Sequence, residues 1–305
     1  MVTRTSISLY MHVSVCISTY QRPPLLTKLL AELARQETGG RFDYSISVGD
    51  NDPAESARAV VAGLARDFPV PLTYGAEPRR SIAHVRNLTI AQSSGDLIAF
   101  IDDDEFPEQD WLLNLFDALQ SHDCAGVLAP VRPFYPEGTP TWVKKGGFFE
   151  RPDHETGFVM PWQKCRTGKV LFRREIIKNL SPVFSPEFGT GGSDVDFFRR
   201  MIEAGHRFIW CHSAPVFEVV PPSRWKRRIL LKRALLRGRN SFRHPRGRWR
   251  GVATAAVAIP LYTLALPILQ LGGHHLFMRY LVKLCDHTGR LLAAVGVDVV
   301  KQREM

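Results

Sequence analysis

Two hydrophobic periods alternate along the first hundred residues. Residues 12–18 (HVSVCIS) form a short apolar run that reads as a buried strand, with a turn from Thr19 to Arg22. Pro23 and Pro24 suit the first turn of a helix, and Leu25, Leu26, Leu29, Leu30 and Leu33 then recur at helical spacing. The pattern repeats with a strand at 44–48, a helix at 54–68, a strand at 72–74, a helix at 82–92 and an apolar strand at 97–101 (LIAFI). This β-α-β-α-β-α-β order predicts an α/β fold with an open, mostly parallel sheet and helices on both faces. Ligands of such sheets bind beyond the carboxyl ends of the strands.

Further along, a helix is expected over 111–121, a strand over 126–131, a strand and helix over 170–179, and a helix over 193–204 stopped by Gly205. Residues 132–166 are rich in Pro, Gly and aromatics without a clear period and read as loops around an acceptor site. Four parts follow: an extension (1–10), a catalytic domain (11–222), a basic amphipathic helix with a linker (223–250), and an apolar membrane-associated region (251–305).

Composition narrows the classes. The chain has 305 residues, 45% of them apolar and 23% charged, which excludes a disordered or collagen-like protein. Its five cysteines are scattered with no Cys-x-x-Cys pair, which argues against a zinc ribbon or a disulfide scaffold and for a reducing compartment. The first ten residues lack the apolar core of a secretory signal. The net charge is +10, yet twelve Lys or Arg and no acidic residue lie between Pro221 and Arg250. The rest is slightly acidic, so no nucleic-acid partner is expected. No glycine-rich dinucleotide or P-loop motif is present.

The strongest chemical signal is FIDDDEFP, residues 100–107. An apolar strand ending in Asp102, Asp103, Asp104 and Glu105 crowds like charges that a divalent cation, Mg²⁺ or Mn²⁺, would neutralise. The second is GTGGSDVDFF, residues 189–198, where a loop entering a helix presents Asp194 as a candidate for proton abstraction. Ser193 and Asp196 have the spacing of a capping box, which would make Asp196 structural. Asp50, in a GDNDP turn, and Arg86, on a helix, have ordinary turn and surface explanations when taken alone. His84, His206 and His212 are isolated.

Taken in order, STYQRP, GDND, SIAHVRN, SSGDLIAFIDDDEFPEQDWL and GTGGSDVDFF resemble the inverting family-2 glycosyltransferases of the GT-A fold, in particular bacterial exopolysaccharide glucosyltransferases of the succinoglycan type. The resemblance runs from about residue 13 to 222. It implies that Thr19 and Asp50 contact uridine, with Asp50 on the uracil edge, and that Arg86 lies near the base or diphosphate. Asp102 and Asp104 correspond to the D-x-D, with Asp104 a metal ligand and Asp102 near the ribose, while Asp103 belongs with the nucleotide-sugar contacts. Asp194 matches the catalytic base. In two places the chain departs from the pattern: Ser193 replaces a usual Glu, and Phe217 replaces a usual His, so that either Glu218 or His212 takes its place at the metal or the metal has fewer protein ligands.

The implied reaction is metal-dependent, inverting transfer of glucose from a UDP-sugar to an acceptor sugar, a lipid-diphosphate-linked oligosaccharide. The alternatives are an inactive membrane-binding relative and a nucleotidyltransferase. For the C-terminal part, Trp225, Ile229, Lys232 and Leu236 fall on neighbouring turns of a basic helix suited to anionic lipid. Residues 251–278 carry no formal charge, but Pro260, Pro267 and Gly272-Gly273 interrupt them and basic residues flank both ends. A monotopic or re-entrant attachment to the cytoplasmic face of the inner membrane is therefore expected over a simple span.

Overall fold

The computed structural model describes residues 10–188, 192–243 and 248–297. The expectations for 1–9, for the glycines of 189–191, for 244–247 and for 298–305 lie outside the described residues. The chain divides into two compact units: residues 1–132 with 151–218, and residues 133–150 with 219–305. The second unit takes in part of the segment read as acceptor loops, and its C-terminal part begins at residue 219.

The first unit is built on β1 (Met11–Thr19), β2 (Phe42–Asp50), β3 (Leu72–Ala76) and β4 (Leu97–Asp102), all parallel in the order β3-β2-β1-β4. Helices α1 (Pro23–Leu33), α2 (Arg58–Ala65) and α3 (Ile82–Ala91) are the crossovers. Pro23 does open α1, and Leu26, Leu29, Leu30 and Leu33 are fully buried. Beyond β4 the sheet continues through β8 (Lys169–Arg173), antiparallel to both its neighbours, to β6 (Gly126–Leu128) and β9 (Phe208–Trp210), which pair parallel to each other. The strand expected over 126–131 breaks at Ala129-Pro130, because a proline cannot continue the ladder, and β7 (Val131–Phe134) starts beyond it. The helix expected after β8 is a single 3-10 turn, Arg174–Ile177. Helix α4 (Trp111–Ser121) precedes β6, and α5 (Thr141–Gly146) lies in the second unit.

Register does the functional work. The parallel pairing sets Thr19 opposite Asp50 and Ser18 opposite Asp102. The antiparallel partner β8 begins with Lys169 opposite Ile101. Three strand ends therefore meet at one edge of the sheet. After Asp102 the chain turns into β5 (Glu105–Pro107), which pairs with β10 (Val216–Val219) so that Glu218 faces Glu105. Neither β5 nor β10 shows a periodic signal, because both are too short. Behind this edge Phe100, Phe172, Phe184, Phe197, Phe198 and Phe208 form an aromatic core that seats α6 (Ser193–Glu203).

In the second unit, α7 (Arg227–Arg243), α8 (Arg248–Leu271) and α9 (His274–Ala294) pack together. The uncharged run is broken at Gly272-Gly273, as its sequence suggested, but not at Pro260 or Pro267, which both lie inside α8. The buried face of α7 is Leu230, Ala234 and Gly238, turned to α9. In the stripe expected to face lipid, by contrast, Ile229 and Leu236 are half-buried, Lys232 is exposed and Trp225 lies in the short turn before the helix. A Cβ on Gly238 would strike the Asp286 carbonyl, and one on Gly289 the Leu235 carbonyl, so this crossing depends on two glycines. Arg237 pairs with Asp286 at 3.3 Å, and Arg290 donates to the Ser241 hydroxyl at 2.9 Å.

Candidate active site

A pocket of 370 Å³ opens at the carboxyl ends of β1 and β4, lined on one side by Ser18, Thr19, Tyr20 and Arg22 and on the other by Asp102, Asp103 and Asp104. Asn51 and, from α3, Ile82, Val85 and Arg86 complete its lining. The sequence-expected residues Thr19, Arg86 and the acidic run are therefore brought together.

Each is held differently. Asp103 is nearly buried, accepting from the Thr19 hydroxyl at 2.8 Å and from Arg22 at 2.9 Å. Burial pushes its carboxyl up to about 6, against the pull of Arg22 and Thr19. Asp104 is more open and bonds Arg22 at 3.1 Å. Burial also raises Asp102, opposed by Arg86 and Lys169 and reinforced by Asp104 and Asp194. The arrangement offers Asp102 and Asp104 to the pocket while Asp103 faces inward.

Below the pocket lies a charge layer that the sequence reading missed. Glu105 and Lys169 are both almost inaccessible, and Arg151 acts on both. Burial raises Glu105 well above the usual carboxylate range and lowers Lys169. Gly168 touches this layer: a Cβ there would overlap Asp102 Oδ2 and lie 2.9 Å from Glu105 Oε2. A lysine opening an otherwise apolar strand (KVLF) was the available signal.

Asp50 differs from expectation. It is fully buried, its Oδ1 accepting from the Asp52 amide at 2.9 Å and its Oδ2 from the Ala57 amide at 2.8 Å and the Tyr74 hydroxyl at 3.2 Å. Both oxygens shape the 50–57 loop, and Asn51, not Asp50, reaches the pocket lining. The Asn51 side chain in turn holds the next loop, donating to the Glu77 and Arg79 carbonyls at 2.8 Å each and accepting from the Ser81 amide at 3.0 Å.

The two acids of α6 separate clearly. Asp194 lies in the first turn, partly open, with Oδ2 3.8 Å from Arg166 Nε, and close enough to Asp102 to raise that carboxyl. Asp196 is buried in ion pairs to Arg199 and Arg200, both at 2.9 Å. The capping box is absent. Gly192, at φ +98°, is the N-cap, and Ser193 sits inside the helix with its hydroxyl accepting from Arg86 at 3.4 Å. A left-handed cap of this kind suits glycine, which spares Ser193 for Arg86. Asn87 clamps Phe184 through both backbone groups, at 2.8 and 2.9 Å, which fixes the segment leading to α6.

Of the two residues left to replace the missing histidine, His212 is elsewhere. It is exposed and pairs with Asp153 at 3.0 Å and Arg132 at 3.5 Å. Glu218 is beside the site through its pairing with Glu105, and it is bound by Arg151. Phe217 faces Phe106. Among the described residues no three histidine, cysteine or acidic side chains form a ready metal cage. The donor set instead fits a hard cation that takes one or two carboxylates and completes its shell with phosphate oxygens.

Comparison with known proteins agrees with this geometry. The model of the family "Glycosyl transferase family 2" matches residues 14–180. The succinoglycan biosynthesis protein ExoM of Rhizobium meliloti is 35% identical over 232 residues, 75% of this chain and 73% of that protein. The glycosyltransferase AglE of Haloferax volcanii is 26% identical, covering 67% and 68%. Among solved structures, the mannosyltransferase PcManGT of Pyrobaculum calidifontis, in complex with GDP-Man and Mn²⁺, has a TM-score of 0.62 at 19% identity, covering 94% of this chain and 86% of that one. S. aureus TarS 1–349, in complex with UDP, has a TM-score of 0.55 at 14% identity, covering 95% of each chain. At those identities the two structures show the shared GT-A fold. By its family match and its 35% identical relative, the chain belongs to glycosyl transferase family 2 and is a glycosyltransferase.

Proposed function

We propose that the enzyme transfers glucose from UDP-glucose, with inversion, to a hydroxyl of a lipid-diphosphate-linked oligosaccharide during exopolysaccharide assembly. The observation that carries this is the strand-end pocket, which gathers Arg86 and the acidic run while α6 brings Asp194 within electrostatic reach of Asp102. The name of the 35% identical relative supports the pathway, and the UDP and Mn²⁺ of the structural neighbours support the donor class and the cation.

Tyr20, Ile82 and Val85 supply an apolar wall for the nucleoside, and Asp50 sets the neighbouring loop from behind. Arg86, anchored by Ser193, faces the diphosphate. Asp104, with Asp102, would hold Mn²⁺ or Mg²⁺, which when bound neutralises charge on the leaving diphosphate. The acceptor oxygen attacks the anomeric carbon from the face opposite UDP. Asp194 takes its proton as the bond to UDP breaks. No covalent intermediate with the enzyme is required.

The membrane reading rests on α8. It is the one helix among the described residues long and apolar enough to span a bilayer, and within Trp249–Leu271 an 18-residue stretch has a mean hydropathy of 2.0 with 11% of it buried. Its neighbour α9 carries Arg279, Lys283, Asp286 and Arg290, and a spanning α8 would draw these charges into hydrocarbon. Attachment in the plane of the cytoplasmic leaflet fits both helices. Mass spectrometry of products formed from a panel of UDP-sugars and lipid-linked acceptors tests the reaction. A mass gain of one hexose from UDP-glucose is expected, with the inverted anomeric configuration read from the anomeric proton coupling in NMR, and a product carrying a nucleotidyl group would refute it.

A further inference from the structure

We propose that Arg22 is a built-in counter-ion of the acidic strand end, which a divalent cation must displace, so that cation binding becomes tied to the nucleotide diphosphate. This rests on the reading that Asp104 and its neighbours hold the cation. A single nitrogen of Arg22, Nη1, lies 2.9 Å from Asp103 Oδ1 and 3.1 Å from Asp104 Oδ2, bridging two adjacent carboxylates as a small cation would. Its side chain is 47% exposed against 6% for that of Asp103, so the guanidinium sits at the mouth of the pocket.

The backbone around Arg22 is fixed while its side chain has room to leave. Gln21 holds a left-handed φ of 54° and donates to Asp52 at 3.3 Å. The Arg22 carbonyl accepts from the Leu25 and Leu26 amides, both at 3.1 Å, as α1 begins. A metal ion arriving alone gains Asp104 but takes from Arg22 one of its two carboxylate partners, leaving it only Asp103. With a nucleoside diphosphate present, the freed guanidinium acquires phosphate oxygens, the acceptors to which its fork is suited. Cation and diphosphate therefore favour one another by more than their direct contact, and the coupling is reciprocal.

The test measures Mn²⁺ binding to the full chain by electron paramagnetic resonance, with and without UDP, for the unaltered protein, Arg22→Gln and Arg22→Lys. Arg22→Gln is expected to bind Mn²⁺ alone about tenfold more tightly, and the enhancement given by UDP to shrink by at least that factor, within the usual range of such couplings. Arg22→Lys, which keeps the charge, should stay near the unaltered protein. Equal or weaker binding of Mn²⁺ alone by Arg22→Gln overturns the inference. If the unaltered protein binds no Mn²⁺ even with UDP, the cation assignment itself falls and takes this inference with it.

Discussion

In the sheet unit Asp103, Glu105 and Lys169 are withdrawn from water, whereas in the helical unit Val257, Leu261, Leu264, Ile268 and Leu271 are left in it. Each arrangement is costly if nothing else binds. Buried carboxylates lose hydration that only a cation or a fixed positive charge restores. An exposed apolar stripe repeating every three or four residues loses free energy to water along its whole length. Under the proposed function, a cation and a diphosphate would complete the first unit and lipid the second. A membrane protein with an ordinary soluble core would show only the second departure, and a soluble enzyme only the first.

The comparison is broken most severely at Asp194. Asp194→Asn keeps its size but cannot accept a proton, and UDP release from UDP-glucose should fall by about 10²–10⁴, while UDP binding persists because the strand-end carboxylates are untouched. Asp196→Asn should keep its turnover, since that acid is already spent on Arg199 and Arg200. A smaller effect is expected in the other unit. Leu264→Asp combined with Ile268→Asp should lower partition onto anionic vesicles by about ten- to hundredfold, less than the ~2.5–3.5 kcal/mol per charge found at the centre of a true span. Co-sedimentation measures it, and unchanged partition would remove α8 from the contact.

Smaller still is the packing effect at Gly168. Gly168→Ala places a methyl against Asp102 and Glu105 and should cost about 1–3 kcal/mol in thermal unfolding, with weaker cation-dependent UDP binding. The least effect concerns pH. Asp103 is raised to about 6 in the folded protein, so the unfolded chain ionises first. Stability of the cation-free protein should therefore fall as pH rises from about 4 to 6 and level off above. Added Mn²⁺ should stabilise more at pH 7 than at pH 4. Melting curves in chelator and in Mn²⁺ check both statements.

Much of the sheet unit was legible because its signals are local. Helix α1 announces itself by Pro23 and its leucine spacing, and β4 by five apolar residues running into Asp102. The acidic run and Asp194 could be found for the same reason. What could not be read came from pairing between distant segments. Lys169 enters the site only because β8 runs antiparallel to β4, and the choice between Glu218 and His212, which the sequence left open, is made by the pairing of β10 with β5. Asp50 carried a family expectation, but its oxygens are claimed by Ala57 and Tyr74, contacts that no spacing encodes. For α7, the hydrophobic pattern gave an amphipathic helix without saying that glycines would turn it toward α9.

The central claim is that the acidic strand end completes itself with a cation and a nucleoside diphosphate. Calorimetric titration of UDP into the full chain, in Mn²⁺ and in chelator, tests it most directly when repeated on Asp104→Ala. The account predicts UDP binding at least tenfold tighter in Mn²⁺ for the unaltered protein, and no such difference for Asp104→Ala. Equal UDP affinity in Mn²⁺ and chelator for the unaltered protein would contradict it.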